Sequence, residues 1–172
     1  MIFQKESIEA ILAGRKTMTR RIVKYGENYE TTTDDKKIGY VFKEGFKTRT
    51  KWQVGKKYAV CPGRGKPQVW YCPKCLKLCE NKIMLNKKDS IIISNCSCHI
   101  QTKPLFVEIT EIRKEKLLEI SEEDAKEEGF SCRGDFYLTF AQINKKLFEK
   151  HCQEKEGKWN PDVWVLEFWV GS

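Results

Sequence analysis

Five of the eight cysteines in this sequence are concentrated between residues 72 and 98. A disulfide network requires an oxidising compartment, and the first residues show no apolar signal segment, so a metal site explains the cluster better. Two short pairs, Cys-x-x-Cys and Cys-x-Cys, supply the four thiolates that tetrahedral zinc takes. These four ligands are Cys72, Cys75, Cys96 and Cys98. The spacing therefore predicts a structural zinc ion, with Cys79 or His99 able to replace one ligand.

The residues between the two cysteine pairs predict a hairpin, with strands at 82–85 and 90–94 and a turn at 86–89. A metal loop, two strands and a second metal loop follow one another in a zinc ribbon. A site closed by four thiolates has no open coordination position, so the metal should stabilise the insert and not catalyse. We therefore predict one domain over 1–172 that carries a zinc-ribbon-like insert at 71–100.

The remainder of the chain has the composition of a single globular domain. Of its 172 residues, 40% are apolar and 12% aromatic, which is enough to build a packed core. Its longest apolar runs, such as Val163 to Val170, are far shorter than the roughly 20 residues that a membrane-spanning helix needs. The charged N-terminal sequence lacks the apolar centre of a signal peptide. We therefore expect a cytoplasmic protein without a membrane span.

Hydrophobic periodicity predicts an α+β fold around a small, largely antiparallel barrel. Alternating apolar residues indicate strands at 38–42, 57–61, 105–112 and 163–170, the last apolar on both faces. Helical spacing indicates helices at 7–13, 121–128 and about 136–154. Ser7 and Ser121 occupy the N-cap positions of the first two helices. Gly14 and Gly129 follow the ends of these helices, where a left-handed residue is favoured.

The turn after Gly14 combines four cations with two hydroxyl groups over residues 15–21. This mixture can bind phosphates and base carbonyls, but a solvated basic loop has the same composition. A second basic loop at 62–66 has type II turn chemistry at Pro62-Gly63, and its glycines would let backbone N–H groups approach an anion. The alternative is a simple turn with two surface cations, Arg64 and Lys66. The net charge of +8 favours nucleic acid among polyanionic partners.

The same turn carries a family signature. The pattern Gly14-x-Lys16-x-x-Thr19-x-Arg21 resembles the G-x-K-x-x-T-x-R signature of the ASCH domain, a member of the PUA-like superfamily. Segments similar to the longer bacterial and phage-borne members follow in the family's order at 52–55, 58–60, 112–130 and 160–165. The resemblance implies a PUA-like small β-barrel flanked by helices, with a cleft lined by the signature turn.

The resemblance also implies a function. Members of the family are RNA-binding or RNA-associated, and one branch hydrolyses the acetyl amide of N4-acetylcytidine with a lysine, a threonine and a glutamate. The matching residues here are Lys16, Thr19 and Glu128, and Arg21 closes the signature. We therefore expect a basic cleft that recognises RNA or a nucleoside through these four residues. The alternative is an amidohydrolase that removes an acyl group from N4-acetylcytidine or a similar nucleoside.

The chemistry of these side chains suits either function. In binding, Lys16 and Arg21 hold a phosphate while Glu128 accepts a hydrogen bond from an amino group such as that of cytosine. In hydrolysis, a desolvated lysine takes a proton and the glutamate passes one to the leaving nitrogen. Among the tryptophans, Trp159 beside Asn160-Pro161 is the best candidate for a cleft wall, because Trp164 lies in an apolar strand.

Overall fold

The structure is a computed structural model, and it describes residues 1–24, 27–32, 35–40, 49–78, 102–154 and 157–171. Within these residues the chain forms four α-helices and nine β-strands, which confirms the predicted α+β class. The predicted hairpin strands at 82–85 and 90–94 lie outside the described residues, as do Cys79, Cys96, Cys98 and His99.

The secondary structure has the following bounds. The helices are α1 (Lys5–Leu12), α2 (Glu122–Glu127), α3 (Arg133–Ile143) and α4 (Lys145–Glu154), with a single 3₁₀ turn at Leu117–Glu119. The strands are β1 (Met18–Ile22), β2 (Glu27–Thr32), β3 (Asp35–Tyr40), β4 (Arg49–Gln53), β5 (Lys57–Ala59), β6 (Trp70–Tyr71), β7 (Lys103–Pro104), β8 (Phe106–Lys116) and β9 (Asp162–Gly171). Among the described helices, none combines the length and the apolar composition of a membrane span.

The largest described sheet is a curled, fully antiparallel sheet of four strands in the order β1-β9-β8-β5. Along the ladder between β8 and β9, Thr110 is an extra residue between Ile109 and Glu111, which forms a β-bulge. A bulge increases the local twist, so it helps the long strands to curl. Strands β2, β3 and β4 form a second sheet, and β6 pairs with β7.

Strand β9 lies at the centre of the core, as its apolar sequence predicted. One face packs Trp164 and Leu166 against Ile109 of β8. The opposite face packs Val163 against helix α3, where Phe136 is buried. The predicted burial on both faces is therefore confirmed for most of the strand, while Trp169 and Val170 at its end are exposed.

Strand β8 continues four residues beyond its predicted end at 112. The additional residues include Arg113 and Glu115, which lie beyond the predicted strand. Both are held in ion pairs within the fold, Glu115 with Arg20 and Arg113 with Asp124. Charged residues in this strand are therefore paired with residues that are distant in the sequence, which local periodicity does not reveal.

The predicted long helix over 136–154 is wrong, because Asn144 divides it into α3 and α4. The backbone of Asn144 leaves the helical region, with φ of −107° and ψ of 29°, and its side-chain amide donates to the Phe140 carbonyl at 2.9 Å. Asparagine commonly competes with the helix backbone in this way. The apolar period ends at the same place, because Ile143 and Leu147 are 54% and 51% exposed.

Helix α1 begins two residues before the predicted N-cap. Gln4 occupies the cap position and makes no side-chain cap hydrogen bond, so Ser7 lies in the first turn of the helix. The prediction for α2 is confirmed, because the Ser121 hydroxyl accepts a hydrogen bond from the Asp124 N–H at 2.9 Å. The predicted start of α1 differs from the observed one because an amphipathic pattern defines the buried face of a short helix better than it defines the first residue.

Candidate functional site

Lys16 is placed by the turn that ends helix α1. Gly14 has a φ of +70°, and its N–H donates to the Ile11 carbonyl at 3.0 Å. The N–H of Arg15 donates to the Ala10 carbonyl at 2.9 Å, which completes a Schellman motif. The predicted helix end at Gly14 is therefore confirmed. Because this motif fixes the path of the backbone, Lys16 enters the protein interior immediately after the turn.

Glu128 is placed by a second turn of the same type, at the end of helix α2. Gly129 has a φ of +89°, and its N–H donates to the Lys126 carbonyl at 2.8 Å. The N–H of Phe130 donates to the Ala125 carbonyl at 2.9 Å, so this end is also a Schellman motif. Glu128 is the C-cap residue of the helix.

The two turns are in contact with each other. A Cβ atom built on Gly129 would lie 3.4 Å from the Cβ of Ala10 and 3.6 Å from the Cβ of Lys16, which is van der Waals contact. The backbone N–H of Thr17 also donates to the Glu127 carbonyl at 2.9 Å. Two helix ends from distant parts of the sequence are thereby joined, and this contact brings Lys16 to Glu128.

Lys16 and Glu128 form a buried ion pair. Lys16 Nζ lies 2.5 Å from Glu128 Oε2, and it also donates to the Glu128 backbone carbonyl at 2.7 Å. Both side chains are about 3% exposed. Loss of hydration lowers the pKa of Lys16 below its ordinary value, and the charge of Glu128 opposes this effect. The pair is therefore fixed in position and held almost out of water.

Arg20 is the second buried cation next to Glu128. Its side chain is fully buried, and Nη1 lies 3.4 Å from Glu128 Oε1. Its guanidinium also pairs with Glu115 at 2.7 Å and with Asp124. Sequence reasoning counted Arg20 only as one of the cations of the basic turn. The available signal was its position in a strand between Met18 and Ile22, since a residue two positions from apolar neighbours faces the same side of a strand.

The pair lies beside a cavity of about 310 Å³, near the lower end of the range for small-molecule sites. Its polar lining includes Thr19 and Arg21 together with Lys16, Arg20 and Glu128. Aromatic rings supply much of the remaining wall, and Gln4, Ser7 and Asn144 add polar groups. The aromatic residues are Phe3, Phe130, Phe136 and Phe140.

Thr19 and Arg21 reach the cavity from strand β1. Thr19 pairs with Leu166 of β9 and is buried. Arg21 is partly exposed, its guanidinium lies 5.4 Å from the centre of the Phe3 ring, and Nη2 donates to the Ile2 carbonyl at 2.5 Å. Burial lowers the pKa of Arg21, although an arginine remains charged at physiological pH. The structure thus brings Lys16, Thr19, Arg21 and Glu128 to one cavity.

The second basic loop does not contribute its cations to this cavity. Of the loop residues, Pro62 lines the cavity, whereas Arg64 and Lys66 do not. The turn also lies further along the chain than predicted, because the Lys66 N–H donates to the Gly63 carbonyl at 3.2 Å and Gly65 has a φ of +72°. These values place Gly65, and not Gly63, at the left-handed position that a type II turn requires.

Trp159 does not form a wall of the cavity. It is 6% exposed and packs between two aromatic rings, with centroid distances of 6.0 Å to Phe140 and 5.5 Å to Phe148. The predicted role of Trp159 in stacking on a ligand is therefore not supported by its position. Because Phe140 does line the cavity, Trp159 supports that wall from behind.

The first cysteine pair forms a tight loop. The Leu76 N–H donates to the Cys72 carbonyl at 2.8 Å, and the Cys72 N–H donates to the Lys77 carbonyl at 3.0 Å. Leu76 adopts a left-handed conformation with a φ of +57°, which is uncommon for a residue with a branched side chain. Within the described part of the chain no three metal-binding side chains cluster, and the other predicted ligands lie outside it.

Comparisons with known proteins found no relative of this chain. No family model matches the chain, and no curated protein or solved structure matches it either. The function must therefore be argued from the geometry and chemistry of the cavity.

Proposed function

We propose that this chain is a PUA-like domain of the ASCH type whose cavity binds one nucleobase, presented by a nucleoside or by an unpaired base of RNA. The observation that carries the proposal is the buried pair of Lys16 and Glu128 beside an aromatic-lined cavity. Aromatic walls suit the faces of a planar ring, and the ion pair offers polar atoms to its edge.

The hydrogen-bonding capacity of the pair favours a particular base edge. An ammonium group has three N–H donors, and within the described residues Lys16 Nζ uses two of them on Glu128. Glu128 Oε1 has only a long contact of 3.4 Å with Arg20, so it retains accepting capacity. A donor beside an acceptor matches an exocyclic amino group next to a ring nitrogen, as in cytosine.

The surrounding charge is compatible with RNA. Three cations and one carboxylate line the cavity, and the whole chain carries a net charge of +8. Arg21 is the most exposed of these cavity cations, so it is the one placed to meet a phosphate. If the base belongs to RNA, affinity should fall steeply as salt increases, whereas binding of an uncharged nucleoside should change little.

Isothermal titration calorimetry tests the proposal, with cytidine and a short cytosine-rich single strand as probes. Glu128→Gln should lower the affinity for cytidine about tenfold or more, because hydrogen bonds to charged groups contribute ~1.5–3 kcal/mol. The matched control is Asp162→Asn, which changes an exposed paired carboxylate on strand β9 that does not line the cavity. The proposal fails if wild-type protein binds neither probe, or if the two variants bind equally well.

One observation favours hydrolysis as a second candidate function. Burial lowers the pKa of Lys16, which brings the amine closer to a role as a base, and Thr19 lines the same cavity. Neutral Lys16 would take a proton from water as the resulting hydroxide adds to the acyl carbon, and Glu128 would relay that proton from Lys16 to the amino nitrogen as the carbon–nitrogen bond breaks. The products are acetate and cytidine. Mass spectrometry with N4-acetylcytidine separates the two functions, since only hydrolysis releases cytidine and only then does Glu128→Gln abolish turnover.

We also propose that Cys72 and Cys75, with Cys96 and Cys98, hold a structural zinc ion. The tight loop around the first pair supports this, because two backbone hydrogen bonds close the chain over residues 72–77, with Leu76 in a left-handed conformation. Metal analysis of protein purified under reducing conditions should find one zinc per chain. Cys75→Ser should lose the metal and Cys61→Ser, the control, should keep it. Absence of stoichiometric zinc from the wild type would refute the proposal.

A further inference from the structure

Arg20 occupies a position that the signature residues do not explain. It is fully buried, it lines the cavity, and its guanidinium lies 5.7 Å from the centre of the Phe136 ring. A buried guanidinium is costly unless its donors are satisfied. Here the N–H donors of Arg20 are divided among three carboxylates. Glu115 lies on β8, Asp124 lies in α2, and Glu128 is the C-cap of α2.

The three contacts of Arg20 are unequal. Nε and Nη2 both lie 2.7 Å from Glu115, and Nη2 also pairs with Asp124. Among the described residues, Nη1 contacts two weak or distant acceptors, the Met18 sulfur at 3.3 Å and Glu128 Oε1 at 3.4 Å. Because the guanidinium is planar and rigid, the two strong contacts fix where Nη1 lies. The long contact between Nη1 and Glu128 therefore follows from the contacts that Glu115 and Asp124, the two anchors of Arg20, make with the other side of the guanidinium.

We propose that Arg20 is a positioning residue that holds Glu128 so that Oε1 faces the bound base. The inference rests on the proposed function and adds to it a residue outside the signature positions. Lys16 fixes Oε2 and the backbone of Glu128, and Arg20 attracts Oε1 without using up its accepting capacity. A carboxylate held at both oxygens cannot rotate to turn its free lone pairs away from the ligand.

Glu115 and Asp124 are themselves paired with a second arginine, Arg113, which lies nearer the surface. Arg113 contacts Glu115 at 3.4 Å and Asp124 at 3.1 Å, and it also pairs with Glu167. Its side chain is partly exposed, so this end of the network reaches the surface. The network therefore connects the cavity to a surface position, and Asp124, which does not itself line the cavity, can be altered to act on it through Arg20.

The test compares cytidine with the 2-pyrimidinone riboside, which lacks the exocyclic amino group. Wild-type protein should prefer cytidine by about tenfold or more, since a hydrogen bond to a charged acceptor contributes ~1.5–3 kcal/mol. Arg20→Lys keeps the charge but loses the planar group, and Asp124→Asn removes one anchor. Both should bring the ratio of the two dissociation constants close to one. Asp162→Asn should leave the ratio unchanged.

A purely structural role for Arg20 gives a different result. In that case Arg20→Lys and Asp124→Asn lower stability, or weaken both nucleosides equally, and the preference for cytidine stays at its wild-type value, which overturns the inference. If wild-type protein binds neither nucleoside, the proposed function fails on its own. The ammonium ¹⁵N signal of Lys16 then decides about Arg20: a change in Arg20→Lys supports positioning, and an unchanged signal refutes it.

Discussion

Two lysine–carboxylate ion pairs, one between two helix ends and one on the sheet between β8 and β9, differ in how much water reaches them. Lys16 and Glu128 are about 3% exposed, whereas Lys114 and Asp162 are 49% and 39% exposed. Both groups join lysine to carboxylate, but water screens the exposed pair and is excluded from the buried one. Forming the buried pair therefore costs free energy of desolvation, and removing one partner costs free energy because a buried charge is left unpaired. This pair also lies beside the cavity. Lys114 and Asp162 do not line that cavity.

The largest expected effect is the loss of one partner of the buried pair. Lys16→Met should destabilise the protein by about 3–5 kcal/mol, because it leaves the carboxylate of Glu128 buried without its closest cation. The matched change in the exposed group, Lys114→Met, should cost less than about 0.5 kcal/mol. Urea unfolding of both variants measures the difference. Equal losses would show that burial does not distinguish the two groups.

An intermediate effect is expected from the turn that places Glu128. Gly129 has a φ of +89°, so Gly129→Ala should destabilise by about 1–3 kcal/mol through backbone strain. Gly134 lies within helix α3, and a Cβ there would meet only the Cys132 sulfur at 3.7 Å. Gly134→Ala should therefore be neutral or stabilising by up to about 1 kcal/mol. Thermal unfolding should show a lowered midpoint for Gly129→Ala and an unchanged or raised midpoint for Gly134→Ala; an equal decrease in both would contradict this account of the turn.

The smallest effect is expected from Asp162. Hydrogen bonding from Lys116 holds the pKa of Asp162 below its ordinary value, and Lys114 adds to this effect. A carboxyl group with a lowered folded-state pKa contributes stability above its unfolded pKa of about 3.9, and this contribution is lost as the pH falls through the folded value.

Asp162→Asn should therefore cost a few tenths of a kcal/mol at neutral pH, within the ~0.2–1 kcal/mol typical of exposed pairs. The difference from wild type should vanish at pH values well below 3.9, and also in about 1 M salt, where charges are screened. Urea titrations of both proteins at each condition provide the measurement. A difference that survives both conditions would show that Asp162 acts through packing and not through charge.

Local sequence signals predicted the parts of the site that depend on local structure. Gly14 and Gly129 marked two helix ends because a left-handed residue is favoured there whatever the rest of the chain does. The Ser121 cap was predictable for the same reason. Lys16 and Glu128 were named from the resemblance to a family signature, and no local pattern indicated that these two residues, 112 positions apart, would form a pair.

The parts that sequence reasoning missed depend on distant partners. The role of Arg20 requires Glu115 and Asp124, which lie about a hundred residues further along the chain. Trp159 was expected at the cavity, but Phe140 and Phe148 enclose it in the core. The helix break at Asn144 was missed because Ile143 and Leu147 continue the apolar spacing across it, although both side chains are about half exposed.

The pairing of strand β6 with β7 determines how the stretch of sequence between these strands can be replaced. Trp70 pairs with Pro104 and Tyr71 with Lys103, so the two ends of the intervening stretch, residues 71 and 103, are neighbours in the fold. Strands paired in this way lie only about 5 Å apart, a gap that a tight turn can bridge. A two-residue turn in place of the cysteine-rich stretch would thus keep β6 paired with β7 and would leave the lining residues of the cavity in the sequence. The proposed nucleobase site and the proposed zinc site therefore belong to different segments of the chain, and a variant that lacks the second segment would separate their contributions.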